Sequence, residues 1–318
     1  MSAAAALGAA LAVPLMRHRL RIPAAVTTAA VVSGPLAVAV LRPRTKARDV
    51  VLYSFQMWAF TIAHELPYDD PAALRRRLEV RYPIVADHWI GRGELPSVRL
   101  QRRLSRPGQV TAIDRVLSIV HWAWFFEPHL TLLFIQRRHQ NRFARAARQM
   151  AATYDIGCAL YFALPTAPPW WASENGYLER PVEHISSDVA EQVVIEARPE
   201  VRRLMLDVGE EVWGPFWDRI YETANGNPWA AMPSLHFASS VMAAILLAEA
   251  GPVPGALGAA YAATLGVALV YLGEHYVTDL IAGAGVVALV RRGEPLAEPV
   301  VEAVNGVLRR LERIASSG

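Results

Sequence analysis

Seven apolar stretches, roughly 24–41, 50–66, 112–135, 150–171, 233–250, 254–272 and 276–291, constrain the fold more than anything else in the chain. A bilayer span takes about 20 mostly apolar residues. The expected fold class is therefore all-α: a polytopic helical membrane bundle with six to seven transmembrane helices. Composition agrees, since 53% of the 318 residues are hydrophobic and 19% charged, against about a quarter charged in soluble domains. Residues 2–16 are also apolar, but Arg17, Arg19 and Arg21 follow them. A signal peptide carries its positive charge in front, so this segment reads as a short extra span or an interfacial one.

Between the stretches lie two large polar regions. Segment 67–111 has too many arginines to cross and is interrupted by Pro67, Pro71, Pro83, Pro96 and Pro107, so loops and short helices along the interface are expected. Segment 172–232 contains an amphipathic, helix-like part from Glu183 to Asp218. The tail 292–318 reads as one terminal helix.

Charge sets the orientation. The run 137–148 carries five arginines, Arg137, Arg138, Arg142, Arg145 and Arg148, and no acid, which marks a cytoplasmic loop. Counting seven spans puts 42–48 and Arg291–Arg292 on that side. It puts 67–111, 172–232 and the turn before His275 on the other. The basic residues are scattered between apolar segments, so no face suits nucleic acid. The single cysteine, Cys158, excludes an internal disulfide and a cysteine-rich metal site. Lys46 is the only lysine in an alanine- and arginine-rich chain, which fits coding bias in a GC-rich genome; the expected location is a bacterial plasma membrane.

The same span count brings two histidines to one membrane face. His236 follows Pro233 and Ser234 at the start of one apolar stretch, and His275 precedes another. Proline suits a first helical turn, and a helix start attracts anions. His275 and Asp279 are four residues apart and share a face if helical. A carboxylate on one imidazole nitrogen leaves the other free as base or nucleophile. Taken alone, the first motif is equally an ordinary helix start, and the second a structural ion pair. Metal ligation is disfavoured because no further histidine or carboxylate clusters beside them. Without metal, the set can cleave a phosphate ester: one histidine attacks phosphorus and the other protonates the leaving oxygen.

These residues resemble the type 2 phosphatidic acid phosphatase superfamily, in its branch near the inositol phosphorylceramide synthases. Pro233-Ser234-Leu235-His236 looks like its proline-serine-glycine-histidine motif, and His275 to Asp279 like its histidine-three-residues-aspartate motif. LPTAPPWW, residues 164–171, resembles a proline-rich stretch of the branch. The resemblance implies that His275 is the nucleophile, Asp279 its orienting carboxylate and His236 the general acid. Ser234 and Arg180, in Arg180-Pro181, would bind phosphate. Two positions depart from the pattern: Leu269 and Ser173 stand where arginine and lysine are usual. Arg99 and Arg106 form a lesser match to the first motif.

Other features have ordinary explanations. His121, Glu127 and His129 could line a headgroup pocket, or bind haem with His64, but buried histidines satisfied by neighbours are expected. Trp170, Trp171, Trp213, Trp217 and Trp229 read as an interfacial belt. Asn227 reads as part of a turn, and Glu274 either tunes His275 or is solvated.

The expected organisation is 1–111, N-terminal spans plus an interfacial region; 112–291, a transmembrane catalytic core; and 292–318, a cytoplasmic helix. The expected protein is an integral-membrane lipid phosphatase or phosphotransferase facing the extracytoplasmic side, with no metal and no cofactor. Its substrate is a lipid phosphate, and the acceptor is water, inositol or another alcohol. A polyprenyl-phosphate phosphatase and a non-catalytic lipid-phosphate binder are the alternatives.

Overall fold

The apolar stretches fold as helices in the computed structural model, which describes residues 3–178, 200–214, 216–217 and 227–316. No strand forms among the described residues. Helices α1 (Ala3–Leu20) and α2 (Ala24–Leu41) pack along each other, and α3 (Lys46–Glu65) packs on α2. A single 3-10 turn, Leu66–Asp69, and three short helices follow: α4 (Pro71–Arg75), α5 (Arg81–Ile90) and α6 (Pro96–Leu104). These are the loops and short helices expected of a proline-punctuated, arginine-rich segment.

Residues 112–135 do not form one continuous helix. They form α7 (Ala112–Ala123) and the start of α8 (Glu127–Arg138). Trp124, Phe125 and Phe126 each bond three residues back, to His121, Trp122 and Ala123, which closes α7 in a tight turn. Pro128 then opens α8, where its missing N–H costs nothing. The arginine run 137–148 is not a loop either. Only His139 separates α8 from α9 (Gln140–Ala163), so most of the run is the first turns of α9. Arginine is a good helix former; its charge marked the end of the bundle, not a break in the chain.

After α9, residues 164–168 run extended, and Thr166 bridges Glu79 on one side and Ala230 on the other. The LPTAPPWW stretch thus ties the segment before α5 to the segment before the His236 helix. The short α10 (Pro169–Glu174) and α11 (Leu204–Trp213) complete the outer layer. Of the amphipathic helix expected over 183–218, the part within α11 is helical, and most of the rest lies outside the described residues.

The remaining three helices are α12 (Leu235–Ala250), α13 (Pro252–Tyr271) and α14 (Val277–Ser316). Gly251 alone joins α12 to α13. The tail is not a separate helix, because α14 continues from the apolar stretch through Pro295 and Pro299 to Ser316. Helices α2 and α13 are long and apolar enough to cross a membrane.

The main core gathers Leu132, Ile135, Met150, Tyr154, Met242 and Val287 from α8, α9, α12 and α14. At one end of this core an arginine–glutamate cluster links α9, α12 and α14. Arg145 on α9 meets Glu294 on α14 at 2.8 Å and Glu249 on α12 at 3.3 Å, and Arg291 meets Glu249 at 2.6 Å. Glu294 lies seventeen residues into α14, about 25 Å along it. The first turns of α12 and α14 therefore sit together at the opposite end.

Candidate active site

Two helix starts meet at that end. Ser234 caps α12, its hydroxyl oxygen accepting from the Phe237 N–H at 3.3 Å. Pro233 consequently sits just before the helix rather than in its first turn. The Tyr161 hydroxyl holds the Pro233 carbonyl at 2.8 Å, and the Ser234 N–H donates to the Asp279 carbonyl of α14 at 2.9 Å. The Ser234 amide is thus engaged in building the scaffold, while its hydroxyl serves there only as an acceptor and keeps its proton to give.

His275 does not share a helical face with Asp279, because α14 begins only at Val277. The preceding turn brings it back. Gly273 adopts φ +80°, and the Glu274 and His275 N–H groups both donate to the Leu269 carbonyl at 3.1 Å. Asp279 Oδ2 then accepts from the Tyr276 N–H at 2.9 Å and contacts His275 Nδ1 at 3.3 Å. Asp279 acts as a cap of its own helix and as the partner of the imidazole. Across the gap, His275 Nε2 meets His236 Nδ1 at 3.2 Å. Asp279, His275 and His236 therefore form one line, with His275 and Asp279 buried.

Two residues overlooked in the sequence set this alignment. Asp87 on α5 is fully buried and accepts from the Val277 and Thr278 N–H groups, each at 2.9 Å, and from the Thr278 hydroxyl at 2.6 Å. A carboxylate on these unpaired N–H groups satisfies them and opposes the helix dipole. Gly283, one turn after Asp279, lies against the other helix start. A Cβ there would sit 2.6 Å from the Ser234 carbonyl oxygen, so only glycine lets α14 approach so closely. Gly283→Ala must push α12 and α14 apart. The expected result is a loss of about 1–3 kcal/mol in stability with turnover at least about tenfold lower, read by thermal unfolding and lipid-phosphate assay.

Leu235 stands at the glycine position of the motif that this stretch resembles. Its side chain is buried against Gly157 of α9, where an added Cβ would come within 2.3 Å of it. The space is thus provided on the facing helix.

The described surroundings distribute the other candidates. Leu269 is fully buried in an apolar cluster, and the Ser173 hydroxyl accepts from the Val201 N–H at 2.9 Å. Neither is a cation, and both are structural. Arg99 is paired with Glu94 at 3.0 Å. Arg180 lies outside the described residues. Arg203, which the motifs did not single out, stacks 3.6 Å over Trp170 and approaches Glu274 at 3.7 Å, beside His275. Burial pushes the Glu274 carboxyl above its usual range, while Arg203 and His275 pull it down.

The three histidines of the haem reading are dispersed. His129 meets the Tyr53 hydroxyl at 3.1 Å, His64 packs on Tyr161, and His121 joins His236. Trp124 also covers His236, ring centroids 4.1 Å apart, and gives its indole N–H to Ser239 at 2.7 Å. Among the described residues, no group of three His, Cys, Asp or Glu is arranged to hold a metal ion. Trp170, Trp217 and Trp229 are buried and only Trp213 is exposed, so the expected belt is largely interior packing of the outer layer. Asn227 accepts from the Trp229 N–H at 3.1 Å, as a turn residue does.

The profile of the PAP2 superfamily matches residues 104–291, more than half of the chain and the segment that carries both histidines. No curated protein and no solved structure matches significantly. The chain belongs to the PAP2 superfamily, a family of phosphatase-type enzymes acting on lipid phosphates.

Proposed function

We propose that this protein is a polytopic membrane enzyme that takes a phosphate group from a lipid through a phosphohistidine on His275. The observation that carries the reading is the continuous line from Asp279 Oδ2 through His275 to His236 Nδ1, with contacts of 3.3 and 3.2 Å. Asp279 holds the His275 proton on Nδ1, which leaves the Nε2 lone pair to attack phosphorus. The P–O bond to the lipid breaks as the N–P bond forms, and His236 supplies the proton to the departing oxygen. In the second half, His236 takes a proton from water or an alcohol, whose oxygen displaces His275. The direct contact between His236 and His275 has to open to admit the phosphoryl group.

Seven crossings fit the helices: α2, α3, α7 with α8, α9, α12, α13 and the first part of α14. The arginines of α9 and α14 support a cytoplasmic far end, and with it a site facing the extracytoplasmic side of a bacterial plasma membrane. Segment 1–111 then supplies membrane helices and a buttress for the site, 112–291 the chemistry, and the end of α14 a cytoplasmic extension. The missing cations at 173 and 269 favour the branch near the inositol phosphorylceramide synthases, and with it transfer to inositol or another alcohol.

The test is turnover of a panel containing phosphatidic acid, a polyprenyl phosphate and a phosphoinositide, with and without added inositol. Both free phosphate and new lipid are followed. EDTA is expected to leave the rate unchanged and orthovanadate to inhibit. New phospholipid formed only with the alcohol supports transfer, and free phosphate alone supports hydrolysis. A protein that binds these lipids without any turnover is the non-catalytic binder instead.

A further inference from the structure

Three imidazoles, not two, meet at the outer end of the bundle. His121 lies in the last turn of α7 and is 4% exposed. Its ring centre is 4.9 Å from that of His236. Its Nδ1 is buried with no hydrogen-bond partner among the described residues. An unpaired buried nitrogen is costly and calls for an explanation. Of the groups packed on its ring neighbour, the Trp124 indole bonds Ser239 and His236 Nδ1 faces His275.

A phosphoryl group attacked by His275 Nε2 needs donors for its nonbridging oxygens. The Ser234 amide is held between the two helix starts and position 269 is a buried leucine, so the Ser234 hydroxyl proton needs further donors beside it. We propose that His121 is a phosphate ligand, its Nδ1–H donating to a nonbridging oxygen while phosphorus passes from the lipid oxygen to His275. This role rests on the phosphohistidine mechanism above. His121 keeps its proton throughout; the proton that leaves with the lipid oxygen comes from His236. The turn that ends α7 at Trp124 to Phe126 thereby has a catalytic purpose, because it holds His121 and Trp124 on the same imidazole, that of His236.

Two substitutions separate a ligand from a packing residue. His121→Phe keeps a ring against His236 and Trp124 but has no donor. His121→Asn loses the ring but places an amide N–H near the Nδ1 position. Orthovanadate inhibition and kcat/KM for the best lipid phosphate are measured in both. His121→Phe is expected to weaken each by about 10- to 100-fold, the worth of a hydrogen bond to a charged group. His121→Asn is expected to stay within about threefold of wild type. The reverse order shows packing alone and overturns the proposal, as does wild-type behaviour in both. If the phenylalanine protein does not fold, His121→Gln gives the second comparison, since its amide reaches the Nε2 end. It is expected to behave as donor-less, and a glutamine protein that equals or exceeds the asparagine one overturns the role. Wild-type protein that ignores vanadate, or His275→Ala that still turns over, defeats the underlying mechanism instead.

Discussion

His275→Ala is expected to turn over lipid phosphate at least about 10⁴-fold more slowly than wild type while unfolding at nearly the same temperature. The two outcomes separate because of how the site is built. Without the His275 imidazole, the line keeps only that of His236, and the Asp279 carboxylate that orients the attacking ring contacts His275. Asp279, however, still accepts the Tyr276 N–H at 2.9 Å, and α14 keeps its cap. His236→Ala is expected to lose less, about 10²- to 10⁴-fold, because a general acid can be replaced in part by water. Asp279→Asn presents an amide to His275 Nδ1 and draws the proton onto Nε2, the atom that must attack. Its loss is therefore expected to exceed that of a spectator cap. Incubation with radiolabelled lipid phosphate should leave acid-labile label on wild type and none on His275→Ala. Retention of more than a few per cent of activity in that variant would sink the phosphohistidine mechanism.

The second large effect is expected at Asp87, which touches neither histidine. Asp87→Ala leaves the half-buried Val277 and Thr278 N–H groups without their acceptor. Each such group costs about 1–3 kcal/mol, so destabilisation of about 2–6 kcal/mol is expected. Activity should fall with it, because the first turn of α14 fixes Asp279 and, through it, His275. Asp87→Asn keeps one acceptor and offers an amide to the other N–H, so it should rescue only part of both losses. Measurement of thermal unfolding in detergent beside kcat decides the matter. A normal melting temperature in Asp87→Ala would show that water satisfies those groups, and that α5 does not hold the site.

Several elements were legible before any fold was known. The apolar stretches marked the helices, since lipid- and core-facing side chains must be apolar. Arginine runs marked one end of the bundle, and Arg145 and Arg291 do meet Glu249 and Glu294 there. Charge, by contrast, does not report secondary structure. Residues 137–148 are mostly helix, because arginine favours helix and was there to pair with facing glutamates. Residues 112–135 were read as continuous because hydropathy does not register a turn. Glu127-Pro128 was the one local sign of the break. His275 and Asp279 do meet, though through a turn and a cap rather than a shared face.

What no local pattern could show is the set of contacts between distant segments. Asp87 reaches Val277 across 190 residues, Gly283 admits the Ser234 carbonyl, Gly157 makes room for Leu235, and His121 comes to lie on His236. A carboxylate in an arginine-rich stretch looks solvated, and a glycine in an apolar helix looks like packing. Their neighbours give them meaning, and the neighbours are chosen by the burial of the whole bundle.

The sequence by itself determined the chemistry on offer and the end of the bundle where it sits. Side-chain type fixes what could attack phosphorus and what could protonate the departing oxygen, and the apolar pattern sets both histidines at the starts of apolar stretches. Only the tertiary structure decided that the imidazoles stand 3.2 Å apart in line with a carboxylate, and that a third joins them. That alignment depends on two helix starts being pressed together, which requires a glycine where they touch and a buried carboxylate from a third helix to hold one of them in place.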